Sequence, residues 1–209
     1  MQTDAVLRPR RSMGDEMQTA TPLVPGIFYH VFVRGVNREN ILFEERNYPY
    51  FLGLFHVHIT PVADLYAYCL LKNHFHLLLR IKTDAVLKTA SVSKAFNNFL
   101  TAYAKAVNKG YGRTGALFQH HFGRIPIFTD SYYTALARYI HQNPRKHGLV
   151  KDFRDWPYSS YHLLLSSGPT SMARAQVIDW FGGKEEFQNF HARSERRKKV
   201  VYLLGNDLD

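Results

Sequence analysis

An α+β fold of the ferredoxin-like, split βαβ kind is what this 209-residue sequence predicts: an antiparallel sheet with helices on one face, plus a C-terminal helical extension. Three observations carry the prediction. Runs rich in aromatic and β-branched residues alternate with stretches at helical spacing, in the order strand, helix, strand, strand, helix, strand. The two middle strands meet around Lys72 and Asn73, which leaves room only for a hairpin. Hydrophobic residues make up 45% and aromatics 14%, enough to bury one principal core in a chain of this length.

The first strand is "GIFYHVFVRG" (26–35), apolar on both faces and bounded by glycine, as an interior strand is. "NYPYFLGLFHVHIT" (47–60) repeats apolar residues at Phe51, Leu54, Phe55 and Ile59, and a helix accepts Pro49 in its first turn. "DLYAYCLLKN" and "HFHLLLRIK" form the hairpin. Residues 86–112 predict a helix with Phe96, Phe99, Leu100 and Tyr103 on one side and Gly110 as its stop signal. "ALFQHHFGRIPIF" reads as a strand interrupted by a bend at Gly123 or Pro126. This order leaves the second face of the sheet free for a site.

Beyond the palm, Thr129 or Asp130 caps a helix on which Tyr132, Leu136, Tyr139, Ile140 and Asn143 recur every three or four residues. Pro144 disfavours helical geometry at Asn143 and is expected to end that helix. Residues 1–24 lack periodicity and read as a mobile leader, residues 25–165 as the principal domain, and residues 166–209 as a helical and basic extension. Val177, Ile178, Trp180 and Phe181 give that extension an apolar side to dock on the palm or a partner.

The formal net charge of +10 and a pI near 9.7 favour a polyanionic partner, nucleic acid or an anionic membrane surface. A single cysteine, Cys69, rules out a disulfide within the chain. No signal-peptide pattern and no run of about 18–20 apolar residues is present, so a cytoplasmic location is expected.

Two histidines interrupt the apolar strand "LLKNHFHLLLRIK". In an extended strand residues two apart share a face, about 6.6 Å from each other. His74 and His76 therefore look one way while Phe75, Leu77, Leu79 and Ile81 look the other, and the two imidazoles suit one metal ion. Tyr139 and Asn143, four apart, present a phenol and a carboxamide on one side of the later helix. Local physics offers plainer accounts too: a helical tyrosine usually packs, Tyr132 and Tyr133 share the helix, and Asn143 before Pro144 is a helix terminator.

Taken together, "LLKNHFHLLLRI", "GYGRTGALFQHHF" and "ARYIHQNPRKHGLV" resemble the REP-associated tyrosine transposases, single-tyrosine transposases of the HUH endonuclease superfamily. The resemblance runs from about Gly26 to about Tyr161. It implies that His74 and His76 hold a divalent cation, Mg²⁺ or Mn²⁺, that Asn143 completes the metal site, and that Tyr139 is the nucleophile. It further implies cleavage and strand transfer of single-stranded or hairpin DNA through a 5′-phosphotyrosine link, in a bacterial, nucleoid-associated monomer or homodimer. The family's "LFQ-x-R-F" pattern has His121 where an arginine commonly stands, which puts a phosphate contact in doubt. Lys109, Tyr111 and Arg113 in "NKGYGRTG", Gln119 and Arg124 around that pattern, and Arg196 and Arg197 in "ARSERRKK" are the candidate DNA contacts. Two other readings stay open: a domesticated protein that grips hairpins without cutting, and an RNA-binding ferredoxin-like domain.

Overall fold

The computed structural model describes residues 21–83, 89–119 and 122–193. Four strands, β1 (Phe28–Arg34), β2 (Ala63–Leu70), β3 (His74–Ile81) and β4 (Gly123–Ile127), form one sheet in the order β2-β3-β1-β4. Every neighbouring pair is antiparallel. Helix α1 (Asn47–His58) connects β1 to β2, and α2 (Thr89–Gly110) connects β3 to β4. This is the predicted ferredoxin-like palm, and the mixed α+β class holds.

Strand alternation sorts the core. Phe75 on β3 meets Phe51 of α1 at 4.9 Å between ring centroids, and Phe51 meets Phe99 of α2 at the same distance, so one face of the sheet is sealed by α1 and α2. The opposite face is not left open. Helix α3 (Asp130–Lys146) packs across β2 and β3 there, burying Leu136, Ala137, Tyr139, Ile140 and Asn143. Three short helices follow: α4 (Tyr161–Leu165), α5 (Arg174–Trp180) and α6 (Lys184–Ala192). Trp180 stacks on Tyr66 at 5.0 Å and packs against Phe28 and Tyr133, so the extension docks on the palm.

Three boundaries differ from the sequence reading. Leu23 is buried and the Tyr29 hydroxyl donates to the Pro22 carbonyl at 2.8 Å, so the packed chain reaches ahead of residue 25; residues 1–20 lie outside the described residues. Pro126 does not bend β4. It pairs with Tyr29 on an edge strand, where a missing N–H costs no ladder bond. Pro144 does not stop α3 either: a proline removes one hydrogen bond, and the helix runs on to Lys146 before Gly148, at φ +67°, turns the chain away. Tyr139 and Asn143 thus sit in the last turns of α3 but not at its end.

Gly123 is required by close approach. A Cβ there would fall 2.1 Å from the Phe32 ring, and Phe32 lies opposite His76 in the sheet. Gly123→Ala is expected to cost about 1–3 kcal/mol by forcing that ring aside. Chemical denaturation of the variant checks this, and an unchanged midpoint would refute it.

A buried imidazole chain fastens α6 to α3. The Phe187 carbonyl can only accept, so His191 Nδ1–H donates to it (2.7 Å), His191 Nε2 accepts from His141 Nδ1–H (2.9 Å), and His141 Nε2 accepts from the Ser160 hydroxyl (2.7 Å). Protonating His191 sets its Nε2–H against the His141 Nδ1–H, and protonating His141 turns its bond to Ser160 around, so that the hydroxyl accepts and its proton goes to the Tyr68 carbonyl. Burial pushes His191 down to about 4 and His141 well below its ordinary value. Both groups therefore contribute stability that is complete above about pH 6.5 and lost as pH falls, at about 1.4 kcal/mol per pH unit for each ring. Denaturant melts at pH 7, 6 and 5 should show stability falling with acid more steeply than these two rings alone give, because the buried His30, His74 and His76 add to it, and His191→Phe should reduce the slope by about one ring's share.

Candidate functional site

The face that α3 covers carries the residues of interest. β1 contributes His30, β3 contributes His74 and His76, and α3 contributes Tyr139 and Asn143. The His74 and His76 rings lie 5.1 Å apart and nearly perpendicular. The Tyr139 ring lies 5.6 Å from that of His76 and 6.1 Å from that of His30. His76 and Asn143 are 0% exposed, His74 4% and Tyr139 5%, so the cluster sits in a region of low dielectric.

Electrostatics keep the imidazoles neutral. Burial is the main cause that pushes His74 down to about 3, and the nearby His147, Arg34 and Lys146 add to it. His76 is held well below its ordinary value, again chiefly by burial and then by His30, His74, His147 and Lys146. Neutral imidazoles keep the lone pairs that ligation needs.

Hydrogen bonding tests whether a cation fits. His74 Nδ1 is 2.7 Å from Asn73 Oδ1, which fixes the tautomer with the proton on Nδ1. The Asn143 amide donates to the Tyr139 carbonyl at 2.9 Å, which leaves its oxygen as the remaining acceptor. His74 Nε2, His76 Nε2 and Asn143 Oδ1 are all buried and make no hydrogen bond within the protein. Each such atom left unpaired costs about 1–3 kcal/mol. Two imidazole nitrogens and a carboxamide oxygen are a donor set that a divalent cation accepts. Among the described residues no group of three or more His, Cys, Asp and Glu side chains is placed to hold a metal, so a centre here needs the carboxamide.

Three neighbours escaped the sequence reading. His30 lies 3.0 Å from His76 Nδ1 through its Nε2. Its signal was the same as that of His76, an imidazole inside an apolar strand. Lys146 Nζ stands 4.5 Å from the centre of the Tyr139 ring, and the His147 ring lies 4.7 Å from that of His74. Both follow Pro144, where the chain was expected to have left the helix.

The candidate DNA contacts do not gather at this cluster. Tyr111 bonds Asn47 Oδ1 (3.1 Å) and Glu44 and stacks on Phe43. Arg113 pairs with Glu39 at 2.9 Å. Both tie the end of α2 to the segment before α1, and Lys109 lies in the last turn of α2. Gln119 and Arg124 line a cavity of about 450 Å³ with Asn97, Thr101 and Phe122. Arg196, Arg197 and His121 lie outside the described residues. No helix among the described residues is long and apolar enough to cross a membrane.

Fold and site together define a class: a ferredoxin-like palm whose sheet presents two imidazoles to a tyrosine- and asparagine-bearing helix. Comparison with known proteins finds likenesses to that class. The chain is similar in sequence to the REP-associated tyrosine transposase of Escherichia coli K12, with 34% identity over 71 residues, 34% of this chain and 39% of the relative. It is also similar to a Haemophilus influenzae protein named, as a candidate, for the same family, with 32% identity over 101 residues, 46% of this chain and 57% of the relative. The aligned stretch thus spans little more than half the length of either relative at most. A solved structure of a REP-associated tyrosine transposase bound to a REP hairpin shares the fold, with a TM-score of 0.56 at 20% identity over 86% of this chain and 98% of that one. No family model matches the chain. The chain is therefore similar to REP-associated tyrosine transposases in sequence over part of its length and to a solved one in fold.

Proposed function

We propose that this protein is a metal-dependent endonuclease and strand transferase acting on single-stranded or hairpin DNA of the REP type, with Tyr139 as nucleophile. The observation that supports this most is the Tyr139 ring 5.6 Å from His76 on the face where three buried ligand-type atoms lack a protein partner. The relatives' names and the hairpin bound in the structural neighbour point to the same class of DNA.

In this reading Tyr139 Oη loses its proton and bonds to phosphorus, the P–O3′ bond breaks, and the departing 3′-oxygen takes up a proton. The product is a 5′-phosphotyrosine link and a free 3′-hydroxyl. Because a phenol has a pKa near 10, it is also a good leaving group, so the link can be passed to another strand without an external energy source. His74 Nε2, His76 Nε2 and Asn143 Oδ1 would hold Mg²⁺ or Mn²⁺, which when bound neutralises charge that builds on the phosphate oxygens. Lys146 Nζ lies 4.5 Å from the centre of the Tyr139 ring and holds that ring by a cation–π contact. The net charge of +10 supplies long-range attraction for the strand.

One observation favours a second reading. Tyr139 is only 5% exposed, which suits a protein that grips hairpins without cutting them. Incubating the protein and Mn²⁺ with hairpin oligonucleotides labelled at either end separates the two. A protein–DNA adduct that survives denaturation and carries the 5′ side of the break supports the nuclease; tight binding with no adduct in Mg²⁺ or Mn²⁺ supports the binder.

A further inference from the structure

We propose that His30 is a positioning residue for His76: its Nε2 accepts a hydrogen bond from His76 Nδ1–H and so selects the tautomer in which His76 Nε2 is unprotonated and free to ligate. This rests on the metal reading above.

The sheet register places Phe32 directly opposite His76 and His30 opposite Leu78, one diagonal step away. Across that diagonal His30 Nε2 lies 3.0 Å from His76 Nδ1, with the rings stacked at 5.2 Å and 22°. Both residues are 0% exposed, so solvent does not compete for the bond. Between two neutral rings a single proton is shared, and it has two homes. If it sits on His30 Nε2, then His76 carries its own proton on Nε2 and cannot ligate. If it sits on His76 Nδ1, then Nε2 is bare.

His74 gives the internal comparison. Its Nδ1 is paired with Asn73 Oδ1 at 2.7 Å, and Asn73 is itself turned by its amide donating to the Arg38 carbonyl at 3.2 Å. Both imidazoles are thus tied at Nδ1 by a neighbour and both have Nε2 without a protein partner. Asn73 Oδ1 can only accept, and His30 Nε2 plays the same part for His76 when its own proton sits on Nδ1, the tautomer the proposal requires. Packing alone does not explain the residue. His30 Nδ1 is buried with no hydrogen-bond partner, a cost that leucine or phenylalanine at this apolar strand position would avoid. Outer partners that fix a ligating histidine typically matter about 10–100-fold for metal affinity.

The test compares wild type with His30→Phe, which removes the acceptor at similar volume, and His30→Gln, which keeps one. Mn²⁺ binding is measured by electron paramagnetic resonance, and the His76 tautomer by long-range ¹H–¹⁵N correlation on the metal-free protein. The expected result is a His76 proton on Nδ1 in wild type, Mn²⁺ affinity about 10–100-fold weaker in His30→Phe, and recovery to within about threefold in His30→Gln. A wild-type His76 protonated on Nε2 overturns the proposal, whether or not His30→Phe folds. Unchanged affinity in a folded His30→Phe overturns it as well, with the metal reading intact. A wild type that takes up no Mn²⁺ overturns the metal reading and the ligand-positioning role with it, and the Nδ1–H tautomer then marks the bond as structural.

Discussion

Tyr139→Phe should abolish the covalent protein–DNA adduct and lower cleavage of a single-stranded or hairpin oligonucleotide by a factor on the order of 10⁴ or more, the scale seen when a covalent nucleophile is removed. The substitution deletes one oxygen and leaves the ring against His76, His30 and Lys146. Hairpin affinity should therefore stay within about threefold, because affinity for nucleic acid generally rests on many phosphate contacts and one phenolic oxygen contributes little to it. Tyr132 and Tyr133 provide the control. They lie two turns earlier on α3, with Tyr133 packed against Phe28 and Trp180, and their phenylalanine variants should keep the adduct. Adduct formation by Tyr139→Phe equal to that of wild type would remove the nuclease reading.

His76→Ala should be nearly as damaging, and for a separable reason. It removes one of two imidazole nitrogens, so the loss of Mn²⁺ affinity should exceed the roughly 10–100-fold expected of an outer partner such as His30. Cleavage should fall in parallel, while hairpin binding without metal is kept. Chelation of wild type by EDTA should reproduce the cleavage defect and excess Mn²⁺ should reverse it; Mn²⁺ should not rescue the variant at moderate concentration. His76 is fully buried beside Phe32, so the variant also leaves a cavity and should unfold more easily by about 1–3 kcal/mol. That stability loss alone does not change the metal dependence of a folded fraction. Full cleavage by His76→Ala in the presence of chelator would show that no cation is held here.

The acid sensitivity of the His141–His191 pair and the close packing of Gly123 on Phe32 belong to a different part of the problem, the rigidity of the frame. Ser160, which ends the imidazole chain, also accepts from the Tyr68 N–H at 2.9 Å. One relay thus joins β2, α3 and α6, and the helix that carries Tyr139 is pinned from behind.

Order and type of the elements could be read along the chain because each rests on a local pattern: apolar, β-branched and aromatic runs bounded by turn residues for β1 to β3, and spacings of three and four for α1 to α3. The alternation of side chains along a strand turned His74 and His76 to one face and Phe75 to the other, as observed. Pro126 and Pro144 misled for one reason. A proline removes a single donor, and whether that matters depends on an edge position or a helix's last turn, which neighbours in space set. The apolar residues of α3 announced that it would be buried but not against which surface, so the sheet face expected to be open is the one it covers. His30 shows the limit most clearly. It is separated from His76 by 46 positions, and its contact depends on the register of two antiparallel strands, a long-range quantity that no local pattern contains.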